Sequence, residues 1–186
     1  MMKKLIKILN GGQIEMWEDF LAWCEWKKKS PNLKTFFYLF WNYTEFRKQI
    51  DFRLAMGGAR FARLITYMTS RSHNLYITSY RGIKGGLMIQ HGFSTIITCQ
   101  SMGRCCKINQ QVTIGWKDSG CPTIGDYVIV GCGAKVLGGI VIGDDVVIGS
   151  NAVVVKDVPS HCMVVGIPAR IVKRRKNMEE DWTKVF

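Results

Sequence analysis

His91, in the stretch MIQHGFSTII, and Trp116, in TIGW, stand 25 residues apart. They are the side chains whose types best suit chemistry. An imidazole takes up and releases a proton near neutral pH, as a general base must. An indole N–H only donates, so it suits a place where negative charge develops. The other candidates are weaker. The chain has three histidines, His73, His91 and His161, and seven cysteines. The cysteine number is odd and no C-x-x-C pair occurs, which argues against a disulfide framework or a cysteine zinc site. Most cysteines are expected to be small buried hydrophobes. Taken alone, His91 reads more readily as a surface histidine in a bulge, and Trp116 has a plain reading as a packing residue.

The setting of the two residues is more informative. From Ile124 the chain reads IGDYVI VGCGAK VLGGIV IGDDVV IGSNAV VVKDVP, six hexads without a break. The first positions are Ile124, Val130, Val136, Ile142, Ile148 and Val154; glycine is frequent at the second. Going backwards, the signal continues at Ile114, Ile108, Met102, Ile96, Ile89, Ile83 and Ile77. Helices repeat near 3.6 and strands near 2, so a period of six fits neither. It fits a coil of short parallel strands. Each hexad makes one flat side, its β-branched residue points inward, and Gly or Asn takes the corner. Stacked coils then bury one apolar column.

The period slips twice. Ile89 to Ile96 is seven residues, and Ile114 to Ile124 is ten. A tight solenoid ejects extra residues as bulges or loops, often on the functional face. The first slip holds His91, so it is expected to leave the column and face a cleft. The second holds GWKDSGCP, with Trp116, Asp118 and Cys121.

The run IGDYVIVGCGAKVLGGIVIGDDVVIGSNAVVVKDVPSHCMVVGIPARIV resembles the hexapeptide-repeat acyltransferases. It is similar to their serine acetyltransferase-like branch, which also holds O-acetyltransferases of bacterial surface polysaccharides such as colanic acid. The resemblance covers residues 74–175. It implies a mainly β, left-handed parallel β-helix, a homotrimer, and acetyl-CoA as acyl donor. It also implies direct transfer to a hydroxyl, with His91 as general base and Trp116 helping to hold the oxyanion. The pantetheine arm is then expected along the coil edges of the C-terminal half, at Gly133, Ala134 and Ala152. The phosphates are expected near Lys156, Arg170 and Lys173.

The chain departs from the serine branch at three places. It has TIGW for TLGG. Cys121 stands where a second functional histidine is found, and Tyr76 where an aspartate precedes the catalytic histidine. These differences favour a sugar hydroxyl of a surface polysaccharide or its precursor as acceptor, with L-serine as the alternative and a non-catalytic scaffold as a further one. Direct transfer needs no nucleophilic Cys121. A three-histidine zinc site, as in γ-type carbonic anhydrases, is not expected, because His73 and His161 flank the coil.

Residues 1–72 lack the hexads and read as a helical extension. MWEDFLAWCEW and FARLITYM carry apolar residues at helical spacing, with breaks near 27–32 and at Gly57–Gly58. Three roles are open for it: capping the solenoid, further oligomerisation, or docking on a membrane surface. Residues 73–172 are the β-helix domain, and 173–186 a tail with a short helix.

The formal net charge is +12. Basic and acidic residues number 13 and 6 in residues 1–72, 7 and 4 in 73–156, and 6 and 4 in 157–186. The excess therefore sits in the flanks. No nucleic-acid-binding motif accompanies it. The longest apolar, charge-free run has ten residues, Thr35–Thr44, against about 20 for a membrane span. No signal peptide is read at the start, and a cytosolic protein is expected.

Overall fold

The computed structural model describes residues 14–57 and 74–185. Residues 75–165 wind into a three-sided prism of short parallel strands. The first face carries β1 (Leu75–Ser79), β3 (Thr95–Cys99), β6 (Thr113–Gly115), β9 (Lys135–Leu137) and β12 (Val153–Val154). The second carries β4 (Ser101–Met102), β7 (Thr123–Ile124) and β10 (Val141–Ile142). The third carries β2 (Met88–Ile89), β5 (Lys107–Ile108), β8 (Ile129–Val130), β11 (Val147–Ile148) and β13 (Cys162–Val165).

Register follows the hexads. On the first face Ile77, Ile97, Ile114, Val136 and Val154 stack in line. On the third, Ile89, Ile108, Val130, Ile148 and Val164 do the same. These side chains form one continuous buried core with the second-face residues Ile83, Met102, Ile124 and Ile142. Each such side chain contributes roughly 1.5–3 kcal/mol of burial.

One column residue differs from the expectation. Ile96 is exposed and Ile97 takes the inward place. The step from the third face to the first is therefore eight residues, Ile89 to Ile97, and the next step is only five, Ile97 to Met102. The extra length is thus confined to the corner at 90–94.

Corners stack as well as faces. The corner between the second and third faces holds Gly86, Cys105, Tyr127, Asp145 and His161, all at positive φ. The corner between the third and first holds His91, Ser94, Gln111, Gly133, Asn151 and Gly166, again at positive φ. Most of these are not Gly or Asn. A left-handed residue costs about 1–2 kcal/mol, and the stacked coils hold it in place.

Among the described residues three helices precede the prism: α1 (Glu15–Trp26), α2 (Leu33–Asn42) and α3 (Thr44–Met56). The Asn32 side chain accepts the Thr35 N–H and caps α2. The helices share an apolar core that includes Phe20, Trp23, Leu39 and Phe46, and Met88 of β2 joins it. They are fixed to the first coil by a buried clamp. Arg53 on α3 donates to both carboxylate oxygens of Asp19 on α1, at 2.7 and 3.1 Å. The same guanidinium donates to the Ile83 and Lys84 carbonyls, and Asp19 accepts the Leu87 N–H at 2.8 Å. Phe52 packs against the prism core. The described helices are therefore fixed to the first coil, an arrangement compatible with the capping role. Phe61, Leu64, Ile65 and Met68 lie outside the described residues.

The tail departs from expectation. No helix is found among its described residues. Instead β14 (Arg170–Arg174) runs antiparallel to β13, and β15 (Thr183–Lys184) antiparallel to β14. Asp145 clasps the segment, because Arg175 donates to both its oxygens and then lies over the Trp182 ring at 4.4 Å. Pairing onto an open sheet edge outweighs the local helical preference of NMEEDW.

Candidate functional site

His91 sits at φ 52° in the corner between the third and first faces, and its side chain is exposed. The Phe93 N–H donates to the His91 carbonyl at 2.8 Å, which closes the bulge. Two residues of the helices reach it, and neither is indicated by sequence spacing. Trp26, the last residue of α1, packs edge-on against the imidazole, with ring centroids 6.2 Å apart. Glu45, in the first turn of α3, lies against Gly92: its Cγ is 3.2 Å from where a Cβ on that glycine would stand. The corner is therefore crowded on the helix side and open on the other. Trp26 also walls an open groove of about 490 Å3 on the third face, with Met88, Tyr127 and Trp182.

Trp116 lies on a different edge, between the first and second faces. It is exposed and packs perpendicular to Tyr80, with centroids 5.7 Å apart. The four extra residues form a tight hairpin, bridged from Lys117 to Gly120 and tied down where the Gly139 N–H donates to Ser119 Oγ at 2.9 Å. Asp118 is at its exposed tip. One chain therefore does not bring Trp116 or Asp118 to His91. The separation of 25 residues is one coil plus about seven, and seven residues lead to the next edge.

Cys121 is buried, and burial pushes its thiol up, away from thiolate chemistry. Four more cysteines, Cys24, Cys99, Cys106 and Cys162, are buried; Cys105 is exposed and Cys132 half-buried. Burial takes the Cys106 thiol up to about 12. Tyr76 is exposed on the first face, opposite Ile96 of β3. His161 occupies the corner between the second and third faces, and its Nδ1 is 2.8 Å from Asp145. Among the described residues no group of three His, Cys, Asp or Glu side chains is placed to hold a metal ion.

The six residues expected at the donor site divide into groups. Gly133, Ala134 and Ala152 lie on the same edge as His91, in later coils. Ala134 and Ala152 are fully buried, however, so their side chains fill the column and do not line a surface. Gly133 is set by geometry: it is left-handed, and a Cβ would collide with the Asn151 carboxamide of the next coil. Any contact at this edge must use backbone groups. Lys156 and Arg170 come together at the C-terminal end of the prism. They line one cavity of about 280 Å3 with Val154, Val164 and Pro168. Lys173 is elsewhere, in β14 opposite Met163 and Lys184. It is removed from that group because β14 turns back along the third face.

Comparison with known proteins fits this geometry. Residues 121–156 match the family model described as bacterial transferase hexapeptide (six repeats). The serine acetyltransferase of Synechococcus elongatus is 42% identical over 117 residues, 60% of this chain and 48% of that protein. The serine acetyltransferase of Staphylococcus xylosus is 44% identical over 119 residues, 61% of this chain and 55% of that protein. The chain thus spans about half the length of the curated relatives it matches. Among solved structures, Neisseria gonorrhoeae serine acetyltransferase in complex with serine superposes with a TM-score of 0.61. It is 27% identical and covers 84% of this chain and 67% of that one. Residues 121–156 thus carry transferase-type hexapeptide repeats, and the chain has the left-handed β-helix fold and is similar in sequence and fold to serine acetyltransferases.

Proposed function

We propose that the protein is an acetyl-CoA-dependent O-acetyltransferase of the serine acetyltransferase kind. One observation carries the reading. His91 projects from a bulged corner whose edge continues, coil by coil, past Gly133 and Asn151 to Gly166, and Lys156 and Arg170 line a cavity at the C-terminal end of the same prism. A long donor lying on that edge would place its phosphates at the two cations and its thioester near the imidazole. The donor supplies the activated acetyl group.

The chain's own groups do the rest. His91 accepts the proton of the acceptor hydroxyl as its oxygen attacks, and Trp26 against the ring limits how the imidazole turns. Trp116 belongs to another edge, so its N–H serves the carbonyl oxygen only across a contact between copies. A trimer, as the resemblance implies, provides such contacts.

The sequence alone favours a sugar acceptor over L-serine. The relatives are named for serine, so their likeness supports the alternative better. The sugar reading keeps one specific observation: a buried thiol, Cys121, whose pKa is raised by burial, and a tyrosine, Tyr76, stand where the family's second histidine and aspartate do, and neither is an imidazole or a carboxylate. CoA release from acetyl-CoA decides between them. Saturable L-serine-dependent release establishes serine as acceptor. Donor binding without serine-dependent release, with release on addition of sugar acceptors, establishes the second. No heat with either acetyl-CoA or CoA in calorimetry would remove the proposal and leave a scaffold.

A further inference from the structure

The α2 helix has two unlike faces. Thr35 and Leu39 are buried against the neighbouring helices. On the other side Leu33, Phe37 and Trp41 recur every four residues and are 43%, 51% and 65% exposed, with Tyr38 beside them at 39%. Large apolar side chains in a continuous exposed stripe mark a surface that meets something else. The stripe is bordered by lysines. Residues 27–34 hold Lys27, Lys28, Lys29 and Lys34 and no acidic residue. Lys27 Nζ lies 3.4 Å from the Trp26 ring centre, and Lys29 Nζ lies 4.5 Å from that of Tyr38. Among the described residues no carboxylate forms an ion pair with any of the four.

Charge selects the occupant. A second copy laid stripe to stripe would bring together eight lysines that have no carboxylate partner among the described residues, on a chain of net charge +12. An anionic lipid surface offers the opposite charge and an apolar layer at the same depth. Exposed aromatic residues on one helix face, with Lys34 on the helix and three more lysines in the turn before it, match an interfacial segment. No described helix is long and apolar enough to cross a membrane, so contact would be peripheral. We propose that α2 and the 27–34 lysines dock the protein on anionic membrane surfaces, with Leu33, Phe37 and Trp41 entering the headgroup layer.

The test is co-sedimentation of the full chain with vesicles of phosphatidylcholine alone and with roughly 30% phosphatidylglycerol added as the anionic lipid. Binding to the anionic vesicles should be at least about tenfold stronger and should fall with salt. The double variant Phe37→Ser, Trp41→Ser should lose about tenfold or more, and Lys28→Glu, Lys29→Glu, Lys34→Glu should lose as much. Circular dichroism checks folding; these side chains are exposed, so the helices should remain. Light scattering without lipid covers the other occupant. Equal partition to both vesicle types, or none, overturns the proposal. So does self-association in solution that the Phe37 and Trp41 substitutions abolish.

Discussion

Replacing Asp19 by Ala should detach the helical extension from the prism and, with it, the helix-side wall of the His91 corner. Asp19 and Arg53 are each 3% exposed at the side chain. Loss of the carboxylate leaves a buried guanidinium without its counter-ion, which costs about 3–5 kcal/mol. It also leaves the Leu87 N–H without an acceptor, about 1–3 kcal/mol more. The two losses share one site and do not add fully, so about 4–5 kcal/mol is expected. That is a large part of the 5–15 kcal/mol typical of a domain.

Urea unfolding followed by circular dichroism measures the change. Hydrogen exchange shows where it falls: α1, α3 and 83–89 should lose protection, while 124–154 should keep it. The double variant Asp19→Leu, Arg53→Met removes both charges together and should be less damaging than Asp19→Ala. A loss below about 1 kcal/mol for Asp19→Ala, or a uniform loss of protection across the prism, would refute the reasoning.

Other outcomes follow from the same geometry. Lys156→Ala with Arg170→Ala should raise KM for acetyl-CoA about tenfold with kcat little changed; an unchanged KM removes them from the donor site. Trp116→Ala should lower kcat about 100-fold while light scattering shows the assembly intact; unchanged kinetics would leave it a packing partner of Tyr80. Burial raises the Asp145 carboxyl, but hydrogen bonds from Arg175 and His161 outweigh that and hold it below the usual range. Its folded pKa is thus below the unfolded one, so its stabilisation is present above about pH 4 and lost as pH falls through the folded value. Hydrogen exchange in 170–185 should accelerate on acidification below that point, and Asp145→Asn should be fast already at neutral pH; identical profiles would contradict the clasp.

Much of the fold is legible because the hexad repeat is local and each face repeats the same inward residue. Both slips fall where the structure has its bulged corners. The error at Ile96 arises because two isoleucines adjoin and only strand register distinguishes them. That His91 and Trp116 share no edge follows from counting sides as well as coils. Trp26 and Glu45 were not legible, since helices far away in sequence bring them to the corner. The tail read as a helix because β15 exists only through its pairing with β14. Ala134 and Ala152 stand where small residues suit a donor, yet the column itself demands them.

The central claim is that His91 takes the acceptor proton during transfer from acetyl-CoA. Steady-state CoA release by wild type and His91→Ala, with CoA binding measured by calorimetry on the same samples, tests it most directly. The account predicts a fall in kcat of about 10²–10⁴-fold with CoA affinity unchanged. Near-normal turnover in His91→Ala would contradict it.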